Sequence, residues 1–200
     1  MRDNGPLTFS AYSDLLRENR NFRLLWFAQI VSELGDGLYT VAIYSLLLEF
    51  TGSAASIALA YVLQVLPQFF VAPSAGVLND RLSRRRIMIF ADWARALIVT
   101  GMLLVRTPSA IWFLYVLLVL LTILWALFEP GRNALVPLIA GPKQRIVANS
   151  LSSATWSFNL AIGSALGGLM AAIFGRETVF IVNTLTFAAS ALLLRRMRVE

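Results

Sequence analysis

The chain has 200 residues, 58% of them apolar, a formal charge of +6, and neither Cys nor His. Soluble domains run nearer 45–50% apolar, and here the excess is gathered into stretches of roughly 20 residues or more, long enough to cross a hydrocarbon core of about 30 Å, so a water-soluble enzyme is not expected. With no Cys or His, disulfides, thiolate chemistry and histidine-based relays, triads or metal sites are excluded, and no cofactor or metal is expected. The basic residues flank apolar segments, which points to a lipid bilayer as partner and not to nucleic acid.

In chain order, residues 1–21 are polar and charged, with no apolar core of a cleavable signal, and read as a cytoplasmic N-terminal segment. Six apolar spans follow, at about 22–50, 54–79, 86–105, 110–128, 147–174 and 178–194, with a short tail at 195–200. Turn residues separate them: Thr51-Gly52-Ser53, Thr107-Pro108-Ser109 and Gly175-Arg176-Glu177. The longest connection, 129–146, holds three prolines and two glycines and reads as a partly helical surface segment. The expected fold is therefore all-α, a polytopic six-helix membrane bundle.

Orientation follows from Lys and Arg. Fourteen of the 17 lie in the N-terminal segment, the second and fourth connections and the tail, counting Arg23 and Arg86 at the adjoining span edges, which places both termini in the cytoplasm. Arg106 and Arg176 lie on the other side, and Arg95 is inside a span.

Ionisable residues within a span are costly and usually functional. In the first span Gln29, Glu33, Asp36 and Thr40 share one helix face. Asp36 sits roughly 18 Å into the span, near the midplane, counted at about 1.5 Å per residue. A carboxyl group there suits loading and unloading a proton, so Asp36 and then Glu33 are candidate proton-coupling residues. The competing reading is an ion pair or hydrogen bonds made for packing. Gln64 and Gln68 in the second span, with Tyr61 a turn earlier, line a cavity with Gln29 and Thr40 or else hydrogen-bond neighbouring helices. Pro67 and Pro73 are expected to bend that helix. Asp92 and Arg95, three apart in the third span, read as a structural ion pair; Asp92 exchanging partners with Arg84–Arg86 is the alternative, and Glu129 is another candidate partner for that cluster. The fourth span offers Trp112, Phe113, Tyr115, Trp125 and Phe128, which suit an apolar or amphipathic solute if they face a cavity and lipid if they do not.

The connection Gly76-Val77-Leu78-Asn79-Asp80-Arg81-Leu82-Ser83-Arg84-Arg85-Arg86 resembles the loop between the second and third helices of major facilitator superfamily transporters, G-x-L-x-D-R-x-G-R-R-x. The match covers Gly76, Leu78, Asp80, Arg81, Arg84 and Arg85, with Ser83 where the family has its second glycine. The resemblance implies a charge-paired gate on the cytoplasmic side; Gly76 is expected to allow close helix approach. Gly163-Ser164-Ala165-Leu166-Gly167-Gly168 is similar to the G-P-x-x-G-G motif of the superfamily's exporters, with Ser164 in place of proline, and implies tight helix packing against proton leak.

Asn19–Trp26, Ser32–Gly37, Leu48–Ser53, Phe128–Pro137 and Ala148–Leu151 together resemble the macrolide-efflux and enterobactin-export branch. That resemblance spans nearly the whole chain. It implies a proton-driven exporter of a drug-like or siderophore-like small molecule in the plasma membrane of a prokaryote. Two alternatives stand beside it: a truncated or regulatory half-transporter that associates through Gly163, Gly167 and Gly168, and a lipid or lysolipid transporter of the same fold. Family members have two six-helix halves, each a 3+3 inverted repeat, and this chain resembles the first. A second half or a homodimer is therefore the expected partner.

Overall fold

The computed structural model describes residues 8–198. The expected segments 1–21 and 195–200 therefore lie partly outside it, at residues 1–7 and 199–200. Among the described residues the chain is all α-helical. The elements are α1 (Phe9–Glu18), α2 (Arg20–Thr51), α3 (Ala54–Arg81), α4 (Arg84–Met102), a 3-10 turn at Pro108–Ala110, α5 (Ile111–Phe174) and α6 (Arg176–Arg195).

Local chemistry sets these boundaries. Asn19 ends α1 and caps α2, its Oδ1 accepting from Phe22 N at 2.9 Å. Gly52, in the left-handed region at φ 62°, closes α2, and Ser53 caps α3. α3 runs through Pro67 and Pro73 as one helix. The segment 129–146, expected as a surface connection, is instead helical on both sides of a single break at Gly141. There φ 70° and ψ 173° suit only glycine, and Pro142 follows. The break divides α5 into two arms, 111–140 and 142–174.

Four helices among the described residues, α2, α3, α5 and α6, are long and apolar enough to cross a membrane. α4 is of similar length to α6, but Arg84, Arg85, Arg86, Asp92 and Arg95 dilute its apolar character. α2 packs against α5 and α6, and α4 against α6. α3 lies outermost, burying only Ala60, Ala75 and Asn79 and leaving Leu66, Phe69 and Phe70 exposed.

Two apolar clusters form the core. One gathers Leu38–Leu47 of α2, Val99 and Met102 of α4, Leu114–Leu121 of α5 and Phe180 of α6. The other gathers Phe22, Leu25 and Ala28 of α2, Met88 and Ala91 of α4, Phe128 and Leu135 of α5, and Leu194 and Met197. Between them, on α2, α4 and α6, lie Gln29 to Asp36, Asp92, Arg95 and Ser190. The core is thus split by a polar layer, where unpaired groups are most costly.

The end of α6 is clasped from two sides. Arg85 donates from Nε to Leu194 O at 3.0 Å and from Nη2 to Arg195 O. Asn21 exchanges two 3.0 Å hydrogen bonds with the backbone of Arg198, and Met197 is buried. A cation on the last carbonyls also matches the helix dipole. Arg85→Ala is expected to free this end, seen as several-fold faster trypsin cleavage after Arg195, Arg196 or Arg198; an unchanged rate would mean that Asn21 and Met197 suffice.

Candidate functional site

The polar layer is built on α2, where Glu33 and Asp36 stand one turn apart and each meets a different arginine. Arg95 of α4 approaches Asp36, Nη1 to Oδ2 at 3.7 Å, and is bonded through Nη2 to Asp92 on its own helix. Asp92 is fully buried and accepts from Ser190 Oγ of α6 at 2.6 Å. The Arg95 guanidinium also lies over the rings of Phe128 (4.6 Å) and Phe187 (4.3 Å).

Arg132, in the first arm of α5, approaches Glu33 with Nη1 to Oε1 at 3.6 Å and is bonded to Glu129 three residues earlier. Glu33 also accepts from Gln29 Nε2 at 2.9 Å and from Asn159 Nδ2, on the second arm of α5, at 3.3 Å. Gln29 donates in addition to Ser152 O at 2.9 Å. The two sets share one design: an arginine between an acid of α2 and an acid three residues earlier on its own helix. They differ in access. Glu33 has three side-chain donors around it, whereas Asp36 faces open space.

That space is a cavity of about 180 Å³, lined by Asp36, Tyr39, Thr40, Gln64, Gln68, Arg95, Thr122 and Trp125 among others. Four of the residues read from sequence as cavity or coupling groups, Asp36, Thr40, Gln64 and Gln68, therefore share one wall. Gln29 lies outside it, turned to Glu33 and the second arm of α5. Of the fourth-span aromatics only Trp125 reaches the cavity; Phe128 is buried beneath Arg95, and Trp112 is exposed. Thr40 Oγ1 donates to Asp36 O at 2.7 Å, and Gln68 Nε2 to Gln64 O at 2.7 Å.

At the cavity's edge the second arm of α5 crosses α2 at very short range. A Cβ on Gly163 would stand 2.9 Å from Gly37 Cα, and one on Gly167 would stand 2.4 Å from Leu38 O. Gly168 has only ordinary contact with Val41, and Ser164 is half-buried. The glycines thus act between helices of this chain.

The loop after α3 departs from expectation. A Cβ on Gly76 would meet nothing within 4 Å, so close approach is not what this glycine provides. The tight contact lies at Gly131 of α5, whose missing Cβ leaves room for the Asn79 side chain at 2.6 Å. Asn79 is buried and donates to Leu127 O at 3.0 Å, joining α3 to α5. Asp80 is exposed and lies 3.5 Å from Arg84; Arg81 is exposed. Arg85 is turned to α6. Glu129 meets Arg132 and Asn133 instead of the Arg84–Arg86 cluster, because the helix that carries it continues inward. Asp92 is sealed beside Arg95, away from that cluster.

Arg132, Asn159, Ser190 and Phe187 were not singled out by sequence. Arg132 does carry a signal: Glu129 and Arg132 have the same three-residue spacing as Asp92 and Arg95, although the prolines around them read as a loop.

A family model described as a transmembrane secretion effector matches residues 10–200. The chain is similar to an uncharacterised MFS-type transporter, YfiS, of Bacillus subtilis (strain 168), with 32% identity over 90% of this chain and 43% of that relative. Macrolide efflux protein A of Streptococcus pyogenes is 28% identical over 82% of this chain and 41% of its own length. The multidrug efflux pump Tap of Mycolicibacterium fortuitum is 29% identical over 88% of this chain and 45% of its own length. The chain therefore spans less than half the length of these curated relatives. No solved structure matches it significantly.

Proposed function

The chain belongs to the transmembrane secretion effector family of MFS-type, or major facilitator superfamily, transporters, and from that membership we propose that it forms one six-span half of a proton-coupled exporter working by alternating access. It is a multi-pass membrane protein, and its family is one of transporters, not enzymes. The break at Gly141 supports counting α5 as two spans, which with α2, α3, α4 and α6 makes six. Arg132 leaves the tally of flanking charges, since it is buried, but the remaining basic residues still favour cytoplasmic termini in the plasma membrane of a prokaryote.

The observation that carries the reading is Asp36. Its carboxylate opens on the cavity, and its counter-ion Arg95 is shared with Asp92. When Asp36 takes a proton, Arg95 keeps a bonded partner, so the step leaves no buried charge alone. The charged groups facing it are Arg95, Asp92 and, one turn away, Glu33 with Arg132 and Glu129. The cavity is open to one side, where a second half or a second copy would complete it around the cargo. Exposed Asp80 and Arg81, with half-buried Arg84 beside Asp80, suit a gate that makes and breaks contacts with that second unit. A small drug-like molecule is the cargo suggested by the efflux relatives. Gly163 and Gly167 are spent against α2, which counts against a regulatory half that associates through them.

In everted membrane vesicles acidified inside, the protein is expected to drive cargo uptake, and Asp36→Asn to abolish the gradient-driven part. Full gradient-driven uptake by Asp36→Asn would overturn the coupling role. Uptake of lysolipid but of no drug-like cargo would favour the lipid alternative.

A further inference from the structure

We propose that α3 is a hinged wall of the cavity: it flexes at Pro67, and the hydroxyl of Thr122, on the first arm of α5, is the latch that holds it against the bundle.

The hinge comes from backbone chemistry. Pro67 has no N–H, so the carbonyl four residues earlier, Leu63 O, loses its donor within α3. In a membrane-spanning helix a freed carbonyl needs a donor from elsewhere. Leu63 O finds one on another helix, with Thr122 Oγ1 at 3.2 Å. Pro73 frees Phe69 O in the same way, but Phe69 is largely exposed.

The latch comes from a shared proton. Thr122 Oγ1 also lies 2.9 Å from Leu118 O, one turn back on its own helix. A hydroxyl has one hydrogen, so it serves one of these carbonyls fully at a time. Leu118 O already receives the backbone N–H of Thr122 in the helix ladder, whereas Leu63 O has lost its own donor. In the closed state the hydroxyl proton lies on Leu63 O. In the open state it turns to Leu118 O, and Leu63 O takes a water from the cavity, whose wall holds Gln64, Gln68 and Thr122. Neither state strands a polar group, so the two differ by about one net hydrogen bond.

Packing lets the hinge move. The buried residues of α3, Ala60, Ala75 and Asn79, lie toward its two ends, and the stretch 61–74 around Pro67 is half-buried or exposed throughout. The ends are pinned to α5 by Tyr115 Oη donating to Ser56 O at 3.3 Å and by Asn79 Nδ2 donating to Leu127 O at 3.0 Å. Thr122 is the joint between them. Gln64 and Gln68 stand on either side of Pro67 in the cavity wall, so flexing there shifts one against the other. α2, which brings Asp36 and Thr40 to the same cavity, is held by the close crossing of Gly37 and Gly163. The movable side of the cavity is therefore α3.

The test is hydrogen–deuterium exchange of the purified protein in detergent micelles, read on peptides spanning 60–72. Thr122→Val keeps the side-chain shape and removes the hydroxyl, Thr122→Ser keeps the hydroxyl, and Pro67→Ala restores an N–H to Leu63 O. Thr122→Val is expected to speed exchange in 60–72 about fivefold, the factor that one net hydrogen bond corresponds to, with the other helices unchanged and Thr122→Ser close to wild type. With Pro67→Ala present, Thr122→Val should have no effect. Wild-type exchange in Thr122→Val overturns the proposal, as does a rise spread over all helices, or an equal rise once Pro67 is replaced. If Thr122→Val alone fails to fold, the double variant decides: rescue by Pro67→Ala supports the latch, and continued failure overturns it. If Pro67→Ala fails to fold, Thr122→Val against Thr122→Ser decides: a rise confined to 60–72 in the valine variant alone supports the latch, and any other pattern overturns it.

Discussion

Arg95→Met is expected to lower the stability of the bundle by about 3–5 kcal/mol, the usual cost of removing one partner from a buried ion pair. The side chain is 3% exposed and serves four groups at once: Asp36, Asp92 and the rings of Phe128 and Phe187. Methionine can refill the slot between the rings, but it leaves Asp92, fully buried, with only Ser190 as partner. Most of the loss should therefore come from the stranded carboxylate. That attribution is checked by adding Asp92→Asn, which removes the orphaned charge while its amide oxygen still accepts from Ser190. Unfolding in detergent should show the double variant recovering much of the single variant's loss. If the double variant is no more stable than Arg95→Met, lost packing between the rings is the larger part. Arg95→Lys should fall between, since an ammonium point charge cannot fork between two acids while stacked on two rings.

Gly167→Val should be at least as damaging, at about 3 kcal/mol or more, the upper end of overpacking costs. The new Cβ would stand 2.4 Å from Leu38 O and 2.7 Å from Leu38 Cα. Those atoms belong to the backbone of α2 and have no rotamer to retreat into, so the second arm of α5 must move off. That displacement would also part Gly163 from Gly37 and pull Asn159 from Glu33, one and two turns away along the same arm. Gly168→Ala is the control, because its nearest neighbour is a Val41 methyl group at 3.6 Å, an ordinary van der Waals contact, and alanine favours helix over glycine by about 1 kcal/mol. Melting of the two variants in detergent should separate widely. Equal melting would mean that the α2–α5 crossing is looser than the glycines indicate.

The glycine run was readable as a packing motif, because small residues a turn apart on an apolar helix have few other uses. Its partner was not readable, since Gly37 and Leu38 lie over a hundred residues away. Asp92 and Arg95 could be paired from their spacing alone. Asp36 as a second claimant on Arg95 could not, and neither could the aromatic rings around it.

Composition, spacing and motifs were enough for the solvent, for every long helix outside 129–146 and for the family. Length and apolar content settle the first, because a bilayer admits backbone only where its hydrogen bonds close internally. Gly52, Ser53, Gly141 and Gly175 mark the punctuation, and the loop and glycine motifs carry the resemblance. What tertiary structure decided is which charge meets which. Spacing puts Glu33 and Asp36 on one face but cannot say that Arg132, which reads as part of a loop, turns inward to Glu33 while Asp36 keeps an open cavity. It also decided that Gly131, and not Gly76, makes room for a neighbouring helix. These are long-range matters, fixed by the cost of leaving any one of several buried charges unpaired. That cost exists only once the helices are assembled.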